Sequence, residues 1–330
     1  MLSQTLTTLP KISGFNFRLV RGEEDYPALV EMINASNAAD DVEQRYTLED
    51  FAHEFNHLPN FDPQSDALLI EKGDKVVGGI PVYWRQLDDG ARAVFLRSSF
   101  APRSRQINVM TAALKWAEDR ARERCPISPD APRYADMWCP STAIYKTQLA
   151  EDNGYAVTRY FYLMLYSPLE NFAEVKLPEG VELRETKPEH YHPIWDALVE
   201  AFRDHWGHTA KTEKDYEGWR SSPHFDPSLY RVAWAKNEIV GASVNTIYKA
   251  ENDKNGFKRG WIDTLGVRRP WRKRGVAGAL IVDSLKALCD RGMTEGVLGV
   301  DAENPTGALR LYEKIGFKVF KKSMVYRKNL

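Results

Sequence analysis

Residues Trp271–Leu280 read WRKRGVAGAL, a knot of positive charge set directly before small residues and an apolar run. With its flank, Arg268–Arg274 (RRPWRKR), the knot holds five cations in seven positions. The chain as a whole is not basic: its 330 residues carry 45 Lys plus Arg against 46 Asp plus Glu. A cationic turn in a neutral protein marks a local anion site, whereas a nucleic-acid surface spreads its charge over a face or along a helix. The flanking pattern says what kind of site. RGWIDTLGV (Arg259–Val267) reads as a strand, and from Gly275 the apolar positions Ala277, Leu280, Ile281 and Leu288 take helical spacing, with Gly292 as the C-terminal stop. The first N–H groups of a helix have no intrahelical partner and carry partial positive charge, so a turn between strand and helix suits a phosphate. Gly275 and Ala277 keep bulk away from a ligand, while Arg272, Lys273 and Arg274 supply charged donors. The spacing is neither that of a nucleoside-triphosphatase loop nor that of a dinucleotide fingerprint.

Outward from the turn, the chain repeats itself. Phe61-Asp62-Pro63 returns as Phe225-Asp226-Pro227, Gly78 as Gly241, and Asn153-Gly154-Tyr155 as Ile315-Gly316-Phe317, in the same order and at one nearly constant separation. The strand and helix after Asn16 likewise parallel those after Gly180. This predicts a tandem duplication, with domains at 1–168 and 181–330 joined by a linker at 169–180. Each half reads as an α/β mixed sheet with helices on both faces. In the second half SLYRVAWAK and EIVGASVNTIY form a hairpin through Lys236-Asn237, GVLGV is a strand, and Asn304-Pro305 opens a helix that Gly316 ends.

Arg272-x-x-Gly275-x-Ala277 after Leu265-Gly266-Val267, followed by Asn304-Pro-Thr-Gly and by Tyr312-Glu-Lys-Ile-Gly316-Phe317, resembles the GNAT acetyltransferase superfamily in both of its cofactor motifs. The tandem arrangement is most similar to the mycothiol synthase branch. The resemblance implies two tandem GNAT-like domains and an N-acetyltransferase that moves acetyl from acetyl-CoA to a primary amine of a small molecule, such as an amino sugar or a cysteinyl sugar, or of a peptide. It implies that the diphosphate of acetyl-CoA lies on Arg272, Lys273, Arg274, Gly275, Val276, Ala277 and Gly278, that the pantetheine arm pairs with Leu265, Gly266 and Val267 where strands splay apart, and that Asn304 contacts the cofactor. Ala277 stands where the second glycine of the motif is common. Tyr312 falls where many members place the tyrosine that protonates the departing thiolate, although Ala308, Leu311, Tyr312 and Ile315 also follow a core-facing stripe.

Asp263 is the acid within the strand that leads to the turn, and the alternation of a strand puts it on the face of Val267. It is a candidate general base, water-holder or substrate ligand; some relatives place the base where this chain has Trp261. In similar enzymes the acceptor pocket is shaped by the segment beginning at Ala201, so Asp204, His205, Trp206 and His208 are candidate acceptor contacts. In the first half the corresponding turn, Ala101–Met110 (APRSRQINVM), has no glycine, and Ala150 and Thr142 stand at the positions of Tyr312 and Asn304. That half reads as a scaffold with eroded cofactor motifs.

The sequence opposes two other function classes. His53-Glu54-Phe55-Asn56-His57 fits H-E-x-x-H, but Leu48, Phe51, Phe55 and Leu58 define an apolar stripe opposite both histidines, and Pro59 ends the helix. No metal is expected. A non-catalytic acyl-CoA-binding regulator is opposed by the intact Tyr312 and Asn304. Three cysteines without a C-x-x-C pair, no signal-like N-terminus and no long apolar run point to a cytoplasmic protein, monomeric or homodimeric, without membrane or nucleic-acid partners.

Overall fold

A computed structural model describes residues 7–126 and 131–330. The first half runs β1 (Asn16–Leu19), α1 (Tyr26–Ala39), α2 (Leu48–Asn56), α3 (Pro63–Asp66), β2 (Ala67–Lys72), β3 (Lys75–Gln86), β4 (Arg92–Leu96), β5 (Ser99–Phe100), α4 (Ile107–Arg124), β6 (Arg133–Pro140), α5 (Ile144–Asp152) and β7 (Ala156–Tyr166). The second runs β8 (Val181–Arg184), α6 (Tyr191–Ala201), α7 (Glu213–Arg220), β9 (Arg231–Ala235), β10 (Glu238–Thr246), α8 (Lys249–Asn255), β11 (Arg259–Val267), α9 (Val276–Asp290), β12 (Glu295–Asp301), α10 (Ala308–Ile315) and β13 (Lys318–Asn329). Helix α8 is an element the sequence pattern does not announce, because KAENDKN carries no apolar stripe.

The compact units do not coincide with the two halves at their ends. One unit comprises Met1–Tyr160 and Ser323–Leu330, the other Phe161–Lys322. The reason lies in strand pairing. Phe161–Tyr166 of β7 pairs antiparallel with β12, and Ser323–Asn329 of β13 pairs antiparallel with β6. Each half thus gives its last strand to the other half's sheet.

In the second unit the sheet order is β8-β9-β10-β11-β12-β7, with β11 and β12 parallel and every other pair antiparallel. Strand alternation supplies both helical faces. Val232 and Trp234 of β9 join Ile194 and Leu198 of α6 in one core, while Ala233 and Ala235 join Val276 and Leu280 of α9 in another. Leu280, Ile281, Leu285 and Leu288 of α9 are fully buried. The helix stops where Gly292 turns left-handed (φ +79°), with Gly292 N–H on the Cys289 carbonyl and Met293 N–H on that of Leu288.

The first unit repeats this plan as β1-β2-β3-β4-β6-β13, with β5 on β3 and β4 parallel to β6. Helix α2 is capped by Thr47, whose hydroxyl accepts from Asp50 N–H while Asp50 accepts from Thr47 N–H. Phe51, Phe55 and Leu58 are buried as the stripe predicts, but Leu48 is 49% exposed, because its place in the first turn carries it off the core. Among the described residues no helix is long and apolar enough to cross a membrane.

The C-terminal strand is bound into the first unit by a buried ion pair. Arg327 Nε and Nη2 donate to both oxygens of Asp136 at 2.7 Å, with Asp136 4% exposed and the Arg327 guanidinium 3.5 Å from the Tyr134 ring centroid. Arg327→Ala leaves that carboxylate buried and uncompensated, and should cost about 3 kcal/mol in urea unfolding of the first unit. A loss below about 0.5 kcal/mol, the scale of an ordinary surface substitution, would mean that the strand does not depend on the pair.

Candidate functional site

The site begins where two parallel strands stop pairing. The β11–β12 ladder runs from Arg259↔Glu295 to Ile262↔Leu298 and ends there, although β11 stays paired with β10 as far as Val267 and β12 with β7 as far as Asp301. Past Ile262 the edge of β11 that faces β12, including Leu265, Gly266 and Val267, therefore has no ladder partner in this sheet. Gly266 is a glycine for packing: a Cβ there would lie 2.9 Å from Leu198 Cδ2 and 3.0 Å from Ala201 Cβ.

Beyond Val267 the chain enters the cationic turn, and its five cations divide. Arg268 pairs with Glu200 and Glu238, and Arg269 with Asp204. Arg272 donates from Nη1 to Asp204 (2.7 Å), from Nη2 to the Ala201 carbonyl (2.8 Å) and from Nε to the Val267 carbonyl (3.0 Å). Lys273 and Arg274 are exposed and form no ion pair among the described residues; Arg274 lies over the Trp271 ring at 5.2 Å. Lys273 (φ +60°) and Gly275 (φ +91°) are both left-handed, and a Cβ on Gly275 would meet only the Lys176 carbonyl, at 3.7 Å. The first bond of α9 runs from Ala279 N–H to Gly275. The N–H groups of Val276, Ala277 and Gly278 precede it at the open end of a 15-residue helix. An exposed left-handed turn, three unpaired-in-helix N–H groups and two exposed cations outside the ion pairs of the described residues fit a diphosphate. Gly278 is buried, with Val175 of the connecting segment 3.3 Å from where its Cβ would be.

Asn304 does not open a helix. Its Oδ1 accepts from Thr306 N–H (2.8 Å) and Thr306 Oγ1 (2.5 Å), so that oxygen closes a local turn, and α10 starts only at Ala308 behind left-handed Gly307. The other end of α10 fixes Tyr312. Its carbonyl accepts from Phe317 N–H while Gly316 N–H bonds to Glu313, a glycine-terminated cap in which the Tyr312 and Phe317 rings meet at 6.1 Å. Tyr312 is 8% exposed, and burial pushes its phenol up to about 12. In the first half Tyr155 N–H bonds to the Ala150 carbonyl and Gly154 N–H to Glu151, the same cap with Ala150 at the position of Tyr312.

Asp263 is the extra residue of a β-bulge: Val244 pairs with Thr264 and Asn245 with Ile262, leaving Asp263 between them. The bulge interrupts the alternation that would put Asp263 on the face of Val267, and Val267 is buried while Asp263 is reached by solvent. Protein still crowds the carboxyl closely, and this burial pushes it up to about 6 against opposing hydrogen bonds from Thr246 and Tyr248. Tyr248 Oη donates to Asp263 at 3.3 Å, and the Tyr248 ring lies 4.7 Å from His224 and 6.1 Å from Trp261. Tyr248, Thr246 and His224 are site residues that sequence reasoning missed, since none belongs to a recognisable motif.

The predicted acceptor contacts fare differently. Asp204 is committed to Arg269 and Arg272, which hold its carboxyl well below the usual range, so it is not a free anion for an amine. His205 packs against Phe202, ring centroids 4.2 Å apart, and is shifted down chiefly by burial; Trp206 lies 6.2 Å from Phe161, and the His208 backbone N–H bonds to the His205 carbonyl. In the first unit the His53 and His57 rings lie 4.4 Å apart, tilted by 31°, and Glu54 is engaged by Tyr46 and Arg97. Among the described residues no group of three His, Cys, Asp or Glu could hold a metal.

Residues 191–317 match the family model of the acetyltransferase (GNAT) family. A mycothiol acetyltransferase of Streptomyces scabiei is 31% identical over 156 residues, 47% of this chain and 48% of that protein, and one of Thermobispora bispora is 29% identical over 193 residues, 58% and 65%. The chain thus spans about half to two thirds of the length of these curated relatives. A GCN5-related N-acetyltransferase structure from Sphaerobacter thermophilus superposes with a TM-score of 0.73 at 26% identity, covering 98% of this chain and 97% of that one. A tandem GNAT protein from the clavulanic acid biosynthesis pathway shares the fold, with a TM-score of 0.66 at 13% identity over 96% and 98% of the two chains.

A carbon-13 titration of the Asp263 carboxyl in the free protein should give a midpoint near 6. Thr246→Val and Tyr248→Phe should each raise it, because each removes a hydrogen bond to the ionised form. A midpoint near 4 would mean that the bulge leaves the carboxylate solvated.

Proposed function

From a chain that is a tandem GNAT protein similar to mycothiol acetyltransferases, we propose an N-acetyltransferase with one working site, in the second unit. The observation that carries this reading is a contrast between equivalent turns. Beside the open edge of β11 the turn is left-handed at Lys273 and Gly275, whereas Ala101–Gln106 has no positive-φ residue and leads into α4 through Ile107, 52% exposed. The first unit, with domain-like repeat structure but without the cradle, serves as scaffold.

Acetyl-CoA supplies the acetyl group as a thioester. The N–H groups of Val276, Ala277 and Gly278, with Lys273 and Arg274, hold its phosphates, and the unpaired edge from Leu265 to Val267 receives the amides of its arm. Asp263 takes a proton from the acceptor ammonium, a task suited to a carboxylate whose pKa is raised toward neutrality. Tyr312, kept neutral by burial, gives its phenolic proton to the departing sulfur. The acceptor is a primary amine of a small molecule or peptide, an amino sugar or cysteinyl sugar being the one that the resemblance to the mycothiol synthase branch implies. Tyr248, His224 and Trp261 line its approach to Asp263.

Calorimetry should find one acetyl-CoA per chain, with binding lost in Gly275→Val, whose branched side chain cannot hold φ +91°. Two equivalent sites would refute the division between units. Tyr312→Phe should keep the acetyl-CoA Kd and lower kcat by about ten- to a thousandfold. Since Asp263 must be ionised to accept a proton, kcat/KM should rise with pH through about 6, and Asp263→Asn should abolish that limb. Full activity of both variants would leave the residues as packing and solvation.

A further inference from the structure

The Arg272 contacts have a counterpart in the half without a cradle. Arg105 donates from Nε to the Phe100 carbonyl (3.3 Å), from Nη1 and Nη2 to Asp40 (2.8 and 2.7 Å), and from Nη2 to the Ser36 hydroxyl (3.1 Å) and carbonyl (3.5 Å). Arg272 reaches the matching Val267 carbonyl, Asp204 and Ala201 carbonyl, with one nitrogen on its aspartate where Arg105 uses two. Phe100 and Val267 occupy one position in the fold, each pairing across the sheet with the repeated glycine, Gly78 or Gly241. Ser36 and Ala201 carbonyls both lie in the last turn of the first helix of their half, where a cation is favourable; the Ser36 carbonyl also accepts from Asp40 N–H (3.2 Å). Each fork thus joins a strand end, a helix end and an aspartate just past that helix.

In the first half the same three-point clamp stands beside a turn with no left-handed residue and no exposed glycine. Its survival there shows that the clamp answers a need of the fold and not of a phosphate. We infer that Arg272 serves acetyl-CoA indirectly, as the fork that fixes the turn from which Lys273 and Gly275 depart, and that Asp204 is the partner on which that geometry depends. Arg272 and Asp204 are positioning residues, and Asp204, which opens the segment bearing His205, Trp206 and His208, ties that segment to the cofactor turn. The inference rests on the reading of this turn as the acetyl-CoA site.

The two roles of Arg272 predict opposite signs for one substitution. A phosphate-binding Arg272 would be released by Asp204→Asn, which also removes a competing negative charge, so affinity would rise. A clamp would loosen and affinity would fall. Acetyl-CoA binding to the full chain is measured by calorimetry for the parent, Asp204→Asn, Arg272→Lys and their combination, with folding checked by circular dichroism. Each single variant should weaken binding by about three- to tenfold, the combination no more than the worse single, since both break one unit. Arg272→Lys keeps the charge but loses the fork, so it reports the clamp even if Asp204→Asn folds poorly. At saturating acetyl-CoA kcat should stay within about twofold, while KM for acetyl-CoA rises. Asp40→Asn, which breaks the first-half clamp, should lower Tm without changing the acetyl-CoA Kd. Tighter or equal binding by Asp204→Asn, binding unchanged in Arg272→Lys, or fully additive losses would overturn the inference. No binding by the parent would instead overturn the reading of the site, and the inference with it.

Discussion

The separation of β11 from β12 after Ile262 is the constraint on which the second unit depends. A parallel pair held together along its length would bury both edges and leave no backbone to offer a ligand. Here β10 keeps β11 in the sheet and β7 keeps β12, so the two can part without either losing its place. The Asp263 bulge sits at the parting, and the strand end at Val267 delivers the chain to the turn. Tyr312 is brought in separately, by a helix whose last turn is locked by Gly316 and Phe317. Cradle, acid and phenol are thus positioned by three devices, of which the first two belong to the sheet itself.

Much of this was legible in the sequence because the repeat is written in turn chemistry. Gly154-Tyr155 and Gly316-Phe317 mark the same helix cap, Lys236-Asn237 the two-residue hairpin, and Gly275 and Gly292 the two ends of α9, because each position requires a conformation few residues adopt. What was not legible depended on partners remote in sequence or on local competition. Asp204 is 68 residues from Arg272, and nothing in RRPWRKR says which of its cations are already spent. Asn304-Pro305 satisfies every rule for starting a helix, yet the asparagine side chain closes a tighter turn and the helix waits for Gly307. The bulge at Asp263 is invisible to a period-2 pattern, which is why the residue's face was misjudged.

The two halves show which parts of a duplicated fold belong to folding and which to chemistry. The helix cap, the parallel pair and the arginine fork occur in both. The left-handed turn and the tyrosine occur in the second alone. A feature kept by both halves answers to stability; a feature kept by one needs another explanation. By this criterion Lys273, Gly275 and Tyr312 stand apart from the scaffold around them.

The exchange of last strands also orders events in time. Phe161–Lys322 is a continuous run, so every residue of the second unit is available once Lys322 has been synthesised. The first unit is discontinuous and needs Ser323–Leu330 to supply the neighbour of β6 and the partner of Asp136. During vectorial synthesis the half that leaves the ribosome first is therefore the half that finishes last. Until Ser323–Leu330 has been made, β6 presents an open edge able to pair with another chain, so its safety rests on how soon those residues follow.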